Sequence, residues 1–502
     1  MPMDVSTIEY LPFEERLHAC FDNMLVYKSP EHNKFFSDQR MPSFIRDWLL
    51  MRFSDEEGRI HEDKIAEYVK KTIPKKEQWN NLLVDMLYRN QAVRFLTKVK
   101  IDFDMKKKQA LFSLPVFDVP THKGDAVVDW DLLEKHRDEL LSASEAWGIV
   151  TVRCEPDEKK KDNILKLIDF KPFCPYKIDL DYYIRVRDFF TVEEWIDILL
   201  GAVDYNAEGY SSQKEKLTVL KRLIPFVEKR TNLIELAPKE TGKSYLFSQV
   251  SQYGWLVSGG SISRAKMFYD IGKRVSGLAS RYDYVALDEI QSIKFTDPME
   301  MQGALKGYLE SGEYRIGDYH GVGEAGMVLL GNIDAERMDT QADMFSQLPG
   351  FFRESALLDR FHGFITGWDI PKMRESLKVN GWALNTEYFV EILHTLREES
   401  VYRTVVDRLL CLPPDAATRD TEAVKRLCTA FLKLLFPNAT DVSKVNLDEF
   451  QEYCLEPAVA MRSIIKKQLG IIDPGEFGGK KIPEITLNIP GDTPSGDNAG
   501  MR

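Results

Sequence analysis

The stretch Leu233-Ile-Glu-Leu-Ala-Pro-Lys-Glu-Thr-Gly-Lys-Ser244 constrains this chain more than any other. It reads as a short apolar strand, a turn and the start of a helix. The turn closes on Gly242-Lys243-Ser244, the end of a phosphate-binding loop of the form G-x-x-x-x-G-K-[ST]. A triphosphate packs several negative charges into a small volume, and backbone N–H groups at a helix start can wrap it without side-chain bulk. The expected contacts run through Ala237, Pro238, Lys239, Glu240, Thr241, Gly242, Lys243, Ser244 and Tyr245. Lys243 is placed to reach the β- and γ-phosphates, and the Ser244 hydroxyl to ligate Mg²⁺. The first glycine of the motif is replaced by Ala237. Position 240, glycine in many such loops, is Glu, expected to bring an anion close to the phosphates; both departures, Ala237 and Glu240, bear on the rate of hydrolysis and on ATP affinity.

Downstream, Tyr284-Val-Ala-Leu287 reads as a buried parallel strand ending in Asp288-Glu289. Acids at the end of a buried strand are costly to desolvate unless they face something cationic or polar. Asp288 suits a Mg²⁺ ligand and Glu289 a group that orients the attacking water. A third strand, Ala325–Gly331, ends in Asn332, which either contacts the γ-phosphate or lytic water or caps the next turn. In Leu357-Leu-Asp-Arg-Phe361, Arg360 is either an arginine finger for a neighbouring subunit's ATP or one half of a pair with Asp359.

Strand–P-loop, strand–Asp-Glu, strand–Asn and LLDRF, in that order, resemble an AAA+ ATPase module. The connecting segments Tyr253–Gly260, Ala265–Tyr269, Gly307–Gly312 and Phe361–Arg374 resemble the BrxL family, Lon-like AAA+ proteins of bacteriophage-exclusion (BREX) systems, from about Asp181 to about Phe477. The resemblance implies a ring-forming, DNA-associated ATPase, similar in its core to minichromosome-maintenance helicases. Its implied cofactors are ATP and Mg²⁺. Its implied partners are further copies of itself, double-stranded DNA and other BREX proteins. Longer family members continue into a Lon-type domain; this chain stops at Arg502, and no peptidase activity is expected of it.

The rest of the chain is read around that module. With 44% hydrophobic and 29% charged residues over 502 positions, it has the composition of a globular protein of several domains. No apolar run is long enough to span a membrane, and Met-Pro-Met-Asp-Val is no secretory signal. Six cysteines without C-x-x-C spacing suggest neither zinc nor a disulfide framework, so a cytoplasmic location is expected. The formal net charge of −12 argues against nucleic-acid binding unless a local basic face exists.

The expected class is multidomain α/β. Residues 1–95 have helical spacing. Residues 96–180 alternate as strands around a helix near 129–141, consistent with a small OB-type barrel. Residues 181–374 form the ATPase core with a helical lead-in, 375–472 a helical lid, and 473–502 a flexible tail. Lys106, Lys107 and Lys108, and likewise Lys159–Lys161, sit between strands. They are either phosphate contacts or ordinary solubilising turns. A hairpin after Glu313, with its tip near Asp318–Gly321, offers Arg315, Tyr319 and His320 to a threaded strand, or is purely structural. Arg462, near the start of the last helix, either reaches the γ-phosphate or is a surface residue. A nucleotide-gated DNA scaffold with little turnover, and an unfoldase serving a separate peptidase, are the alternatives to a DNA-dependent ATPase.

Overall fold

The computed structural model describes residues 8–488 except 32–35, 37–40, 56–57, 105, 118, 120–125, 143–144, 157–162, 174–177 and 273–274. These form two compact units. One holds the described parts of residues 1–44, 178–272 and 277–502; the other holds those of 45–177 and 273–276. The expected domain of residues 1–95 is therefore divided. Strand Leu25–Lys28 pairs antiparallel with Gly381–Leu384, which ties the first residues to the nucleotide-loop unit. Lys28 explains the tie chemically. It is fully buried, and its ammonium lies 3.1 Å from Asp204 and donates to the carbonyls of Gly201 and Ala202.

The unit of residues 45–177 is built on a closed five-stranded barrel. Its strands are Val93–Asp104, Gln109–Ser113, Ala126–Val128, Ala146–Pro156 and Asn163–Pro172, and they lie in the spatial order 1-2-3-5-4. The third and fifth strands run parallel; the other pairs are antiparallel. Period-2 alternation turns Phe95, Val99, Val150 and Val152 inward. The helix expected over 129–141 is broken at His136 into Trp130–Lys135 and Arg137–Ser142. Lys106–Lys108 form the exposed turn between the first two strands, with Lys108 in the left-handed region at φ 51°. Lys159–Lys161 lie outside the described residues.

The other unit centres on a five-stranded parallel sheet. In chain order its strands are Leu233–Ala237, Gly254–Ser258, Tyr284–Asp288, Gly326–Asn332 and Gly363–Thr366, and in space they lie 5-1-4-3-2. The first and third strands are buried at every position, as a sheet covered on both faces requires. The P-loop strand lies between the fourth and fifth strands, and its carboxyl end is the edge at which open α/β sheets bind ligands.

Helices Thr386–Glu398, Val401–Leu409, Thr418–Leu435 and Glu456–Ile472 follow. The last begins after a π-helical turn, Gln451–Leu455, and takes Pro457 in its first turn. The tail expected over 473–502 is described as far as residue 488. Pro474–Phe477 is a short helix, and Thr486–Leu487 pairs with Leu410–Cys411. No helix among the described residues is long and apolar enough to cross a membrane.

Candidate functional site

The P-loop strand ends at Ala237, and the helix Lys243–Gln249 begins after five intervening residues. Two loop residues stand in the left-handed region, Glu240 at φ 69° and Gly242 at φ 79°. Glycine suits Gly242 for a further reason: a Cβ there would lie 2.7 Å from the Tyr205 hydroxyl oxygen. Among the described residues, the backbone N–H groups of Lys239, Glu240, Thr241 and Gly242 donate no hydrogen bond within the chain. They leave a cradle of open donors at a helix start, the arrangement that binds an anion.

Lys243 sits at the centre. It is buried, and its Nζ lies 3.3 Å from each of four oxygens: the carbonyls of Ala237, Pro238 and Gly331, and Asn332 Oδ1. No carboxylate lies within ion-pair distance of it among the described residues. Burial pushes its pKa below the ordinary lysine value, and Arg222 adds to the effect against the pull of Glu235 and Asp288. A buried ammonium with only neutral partners is stabilised by an incoming polyanion. Ser244 Oγ donates to Asp288 Oδ2 at 2.5 Å, so the two oxygens expected to hold Mg²⁺ already converge. Asp288 also accepts from the Glu289 N–H at 2.9 Å. Glu289 itself is exposed and stands at φ 49°, a conformation that L-residues adopt mainly where the surroundings impose it. The donor set therefore fits a Mg²⁺-bound triphosphate.

Two expectations change here. The Glu240 side chain is exposed and turns to Lys372, 3.9 Å away, while its carbonyl accepts from the Met373 N–H. The carboxylate is directed to solvent and this lysine. Arg462 is fully buried. Its guanidinium contacts Asp420 Oδ1 through Nε and Nη2, Asp359 Oδ1 through Nη2, and the carbonyls of Asp359 and Phe361 through Nη1. All five N–H donors of an arginine are thereby occupied, and none remains for a phosphate.

Arg360 does not pair with Asp359. Its Nε lies 2.7 Å from Glu310, and it also donates to the Ala356 carbonyl. It precedes the strand Gly363–Thr366, whose Gly363 is level with Leu233, so it stands at the amino edge of the sheet. The P-loop opens at the carboxyl edge, about five strand residues or roughly 17 Å away.

Tyr245 hydrogen-bonds Asp204 and Ser43. The expected hairpin is present as Glu313–Ile316 and Tyr319–Val322, with its turn at Gly317-Asp318. Arg315 and His320 are register partners and both are exposed. Tyr319 is engaged, stacked on Tyr269 with ring centroids 3.6 Å apart and planes at 6°.

The sequence reading missed what holds the loop from beneath. Glu235, in the middle of the P-loop strand, and Arg222 are both fully buried and joined by a bidentate pair of 2.6 and 3.0 Å. Arg222 donates on to the Thr241 carbonyl at 2.8 Å. The available signal was one acid inside an otherwise apolar strand.

The parallel α/β sheet thus carries an open anion cradle, a buried lysine and a paired Ser–Asp at its carboxyl edge. Residues 165–482 match the family model described as Lon-like protease BrxL-like, ATPase domain. Residues 19–154 match that of the BREX system Lon protease-like protein BrxL N-terminal domain. The chain belongs to the BrxL family. It is similar to the Lon-like protease BrxL of Escherichia coli O9:H4 (strain HS), 31% identical over 388 residues, covering 77% of this chain and 54% of that one. It is also similar to that of Bacillus cereus (strain H3081.97), 32% identical over 347 residues, covering 68% and 50%. The chain spans about half the length of the curated relatives it matches.

Proposed function

We propose that this chain is a ring-forming AAA+ ATPase that binds double-stranded DNA and couples ATP binding and hydrolysis to BREX-type defence against phage. The carrying observation is the buried Lys243 ammonium, without a carboxylate partner, beside the open N–H groups of Lys239–Gly242. The 5-1-4-3-2 sheet with a hairpin before its fourth strand supports the AAA+ reading, and the 1-2-3-5-4 barrel supports an OB-type platform.

In this reading the loop N–H groups and Lys243 bind and orient the triphosphate. Ser244 and Asp288 would hold Mg²⁺, which when bound neutralises charge on the β- and γ-phosphates. Glu289 orients the attacking water and Asn332 faces the γ-phosphate. Arg360, on the far edge from its own loop, serves a neighbouring copy. Arg315 and His320 on the hairpin, and Lys106–Lys108 on the barrel turn, are the DNA contacts. The outward Glu240 carboxylate supports turnover over a hydrolysis-poor scaffold.

The test is ATP hydrolysis with and without double-stranded DNA, beside Lys243→Ala and Glu289→Gln. DNA-stimulated turnover lost in both variants is expected. Turnover that ignores DNA, or that survives Lys243→Ala, contradicts the reading.

A further inference from the structure

At the amino edge of the sheet, two arginines share one carboxylate. Arg360 Nε lies 2.7 Å from Glu310 Oε2. Arg419, one residue into the helix Thr418–Leu435, grips the same Glu310 with both prongs, Nη2 to Oε2 at 2.9 Å and Nε to Oε1 at 3.1 Å. Its third contact, Nη1 to Asp359 Oδ2 at 3.1 Å, continues into the buried network of Arg462, Asp420 and Lys466. Four cations face three carboxylates, Glu310, Asp359 and Asp420. The cluster carries a net positive charge on a chain whose formal balance is −12.

Accessibility divides the cluster. Arg462 and Asp420 are almost wholly buried, whereas Arg419 and Glu310 are 43% and 42% exposed. The inner layer is a fixed base; Arg419 and Glu310 form an outer layer free to exchange partners, with Arg360 between the two at 16% exposure. A guanidinium prefers a planar, bidentate oxyanion, and phosphate competes with carboxylate for that geometry. The pair stands too far from its own P-loop to serve it, so any triphosphate it meets belongs to another copy.

Resting on the proposed ATPase reading, we infer that Arg419 is a second trans-acting cation beside Arg360, and that Glu310 is the carboxylate both arginines exchange for the γ-phosphate of nucleotide held by an adjoining copy. Asp359, through its second oxygen on Arg462, keeps Arg419 on the exposed rim. Glu310 is a positioning residue that aligns both guanidinium groups before the phosphate arrives.

The test is subunit mixing. Full-length Arg419→Ala alone is expected to lose at least tenfold in ATP turnover per subunit, with ATP affinity changed less. Lys243→Ala alone is expected to be inactive. Mixed one to one, the two are expected to regain activity, because Lys243→Ala copies supply Arg419 to the intact loops of Arg419→Ala copies. Arg419→Lys, which keeps charge but not the fork, is expected to fall between wild type and Arg419→Ala at unchanged melting temperature.

Full turnover by Arg419→Ala, or loss that mixing does not restore, overturns the assignment while leaving the ATPase reading intact. Wild-type-like turnover by Lys243→Ala overturns the reading and the assignment together. Glu310→Gln separates clasp from scaffold. A fall in turnover smaller than that of Arg419→Ala is expected; unchanged turnover contradicts the positioning role, and loss as deep as in Arg419→Ala contradicts the exchange.

Discussion

Glu240 shows how one residue's backbone and side chain can carry different messages. Its φ of 69° is a conformation that costs an L-residue about 1–2 kcal/mol and glycine almost nothing, which is why glycine is common at such loop positions. Its carboxylate, however, points to solvent and Lys372. Glu240→Gly is therefore expected to raise stability by up to about 1 kcal/mol, after the larger unfolded-state entropy of glycine offsets part of the gain. An exposed charge contributes little, so ATP affinity is expected to change by less than about fivefold. Melting curves and nucleotide titration check both. A lowered melting temperature, or affinity raised far beyond that range, shows that the side chain does crowd the phosphates.

At the scale of elements, the P-loop is a strand, a turn and a helix held by a buried ion pair. Removing one partner of such a pair costs about 3–5 kcal/mol, because a buried charge is left unmatched. Arg222→Met is expected to destabilise by that amount in denaturant titrations. Adding Glu235→Leu removes the orphaned carboxylate and is expected to recover most of the stability. The double variant still lacks the donor to the Thr241 carbonyl, so weakened ATP binding is expected to persist. Recovery of binding together with stability contradicts a positioning role.

The P-loop strand and the strand ending in Asp288 were legible because burial on both faces enforces continuous apolar runs, and the loop because its residue types follow from backbone geometry. The Arg222–Glu235 pair was not, since its partners are separated in sequence and nothing local marks them as neighbours. Arg462 misled for the same reason. Its fate depends on Asp359 and Asp420, which only the fold brings to it.

For the whole molecule, the division into units departs from chain order. Residues 45–177 carry their own core, including Phe95, Phe112, Val150 and Leu167. A fragment of residues 45–177 is expected to unfold cooperatively by itself, which calorimetry reports as equal van't Hoff and calorimetric enthalpies. A chain lacking residues 1–44 is expected to lose stability in the other unit, because the Leu25–Lys28 strand and the buried Lys28–Asp204 pair go with them. Sequence periodicity could not reveal this. A four-residue strand that pairs with Gly381–Leu384 carries too little local pattern to be assigned without its partner.

The account turns on Lys243 as the seat of a polyphosphate. The direct measurement is calorimetric titration of Mg²⁺-ATP into the full chain and into Lys243→Ala across a pH series. Wild type is expected to bind at least about tenfold more tightly, 1.4 kcal/mol, than the variant. Burial lowers the Lys243 pKa in the free protein, and binding needs the charged form. Affinity is therefore expected to hold at neutral pH and to fall as pH rises through that lowered pKa, below the range where an ordinary lysine titrates. Equal affinity in wild type and variant, or no binding in either, contradicts it.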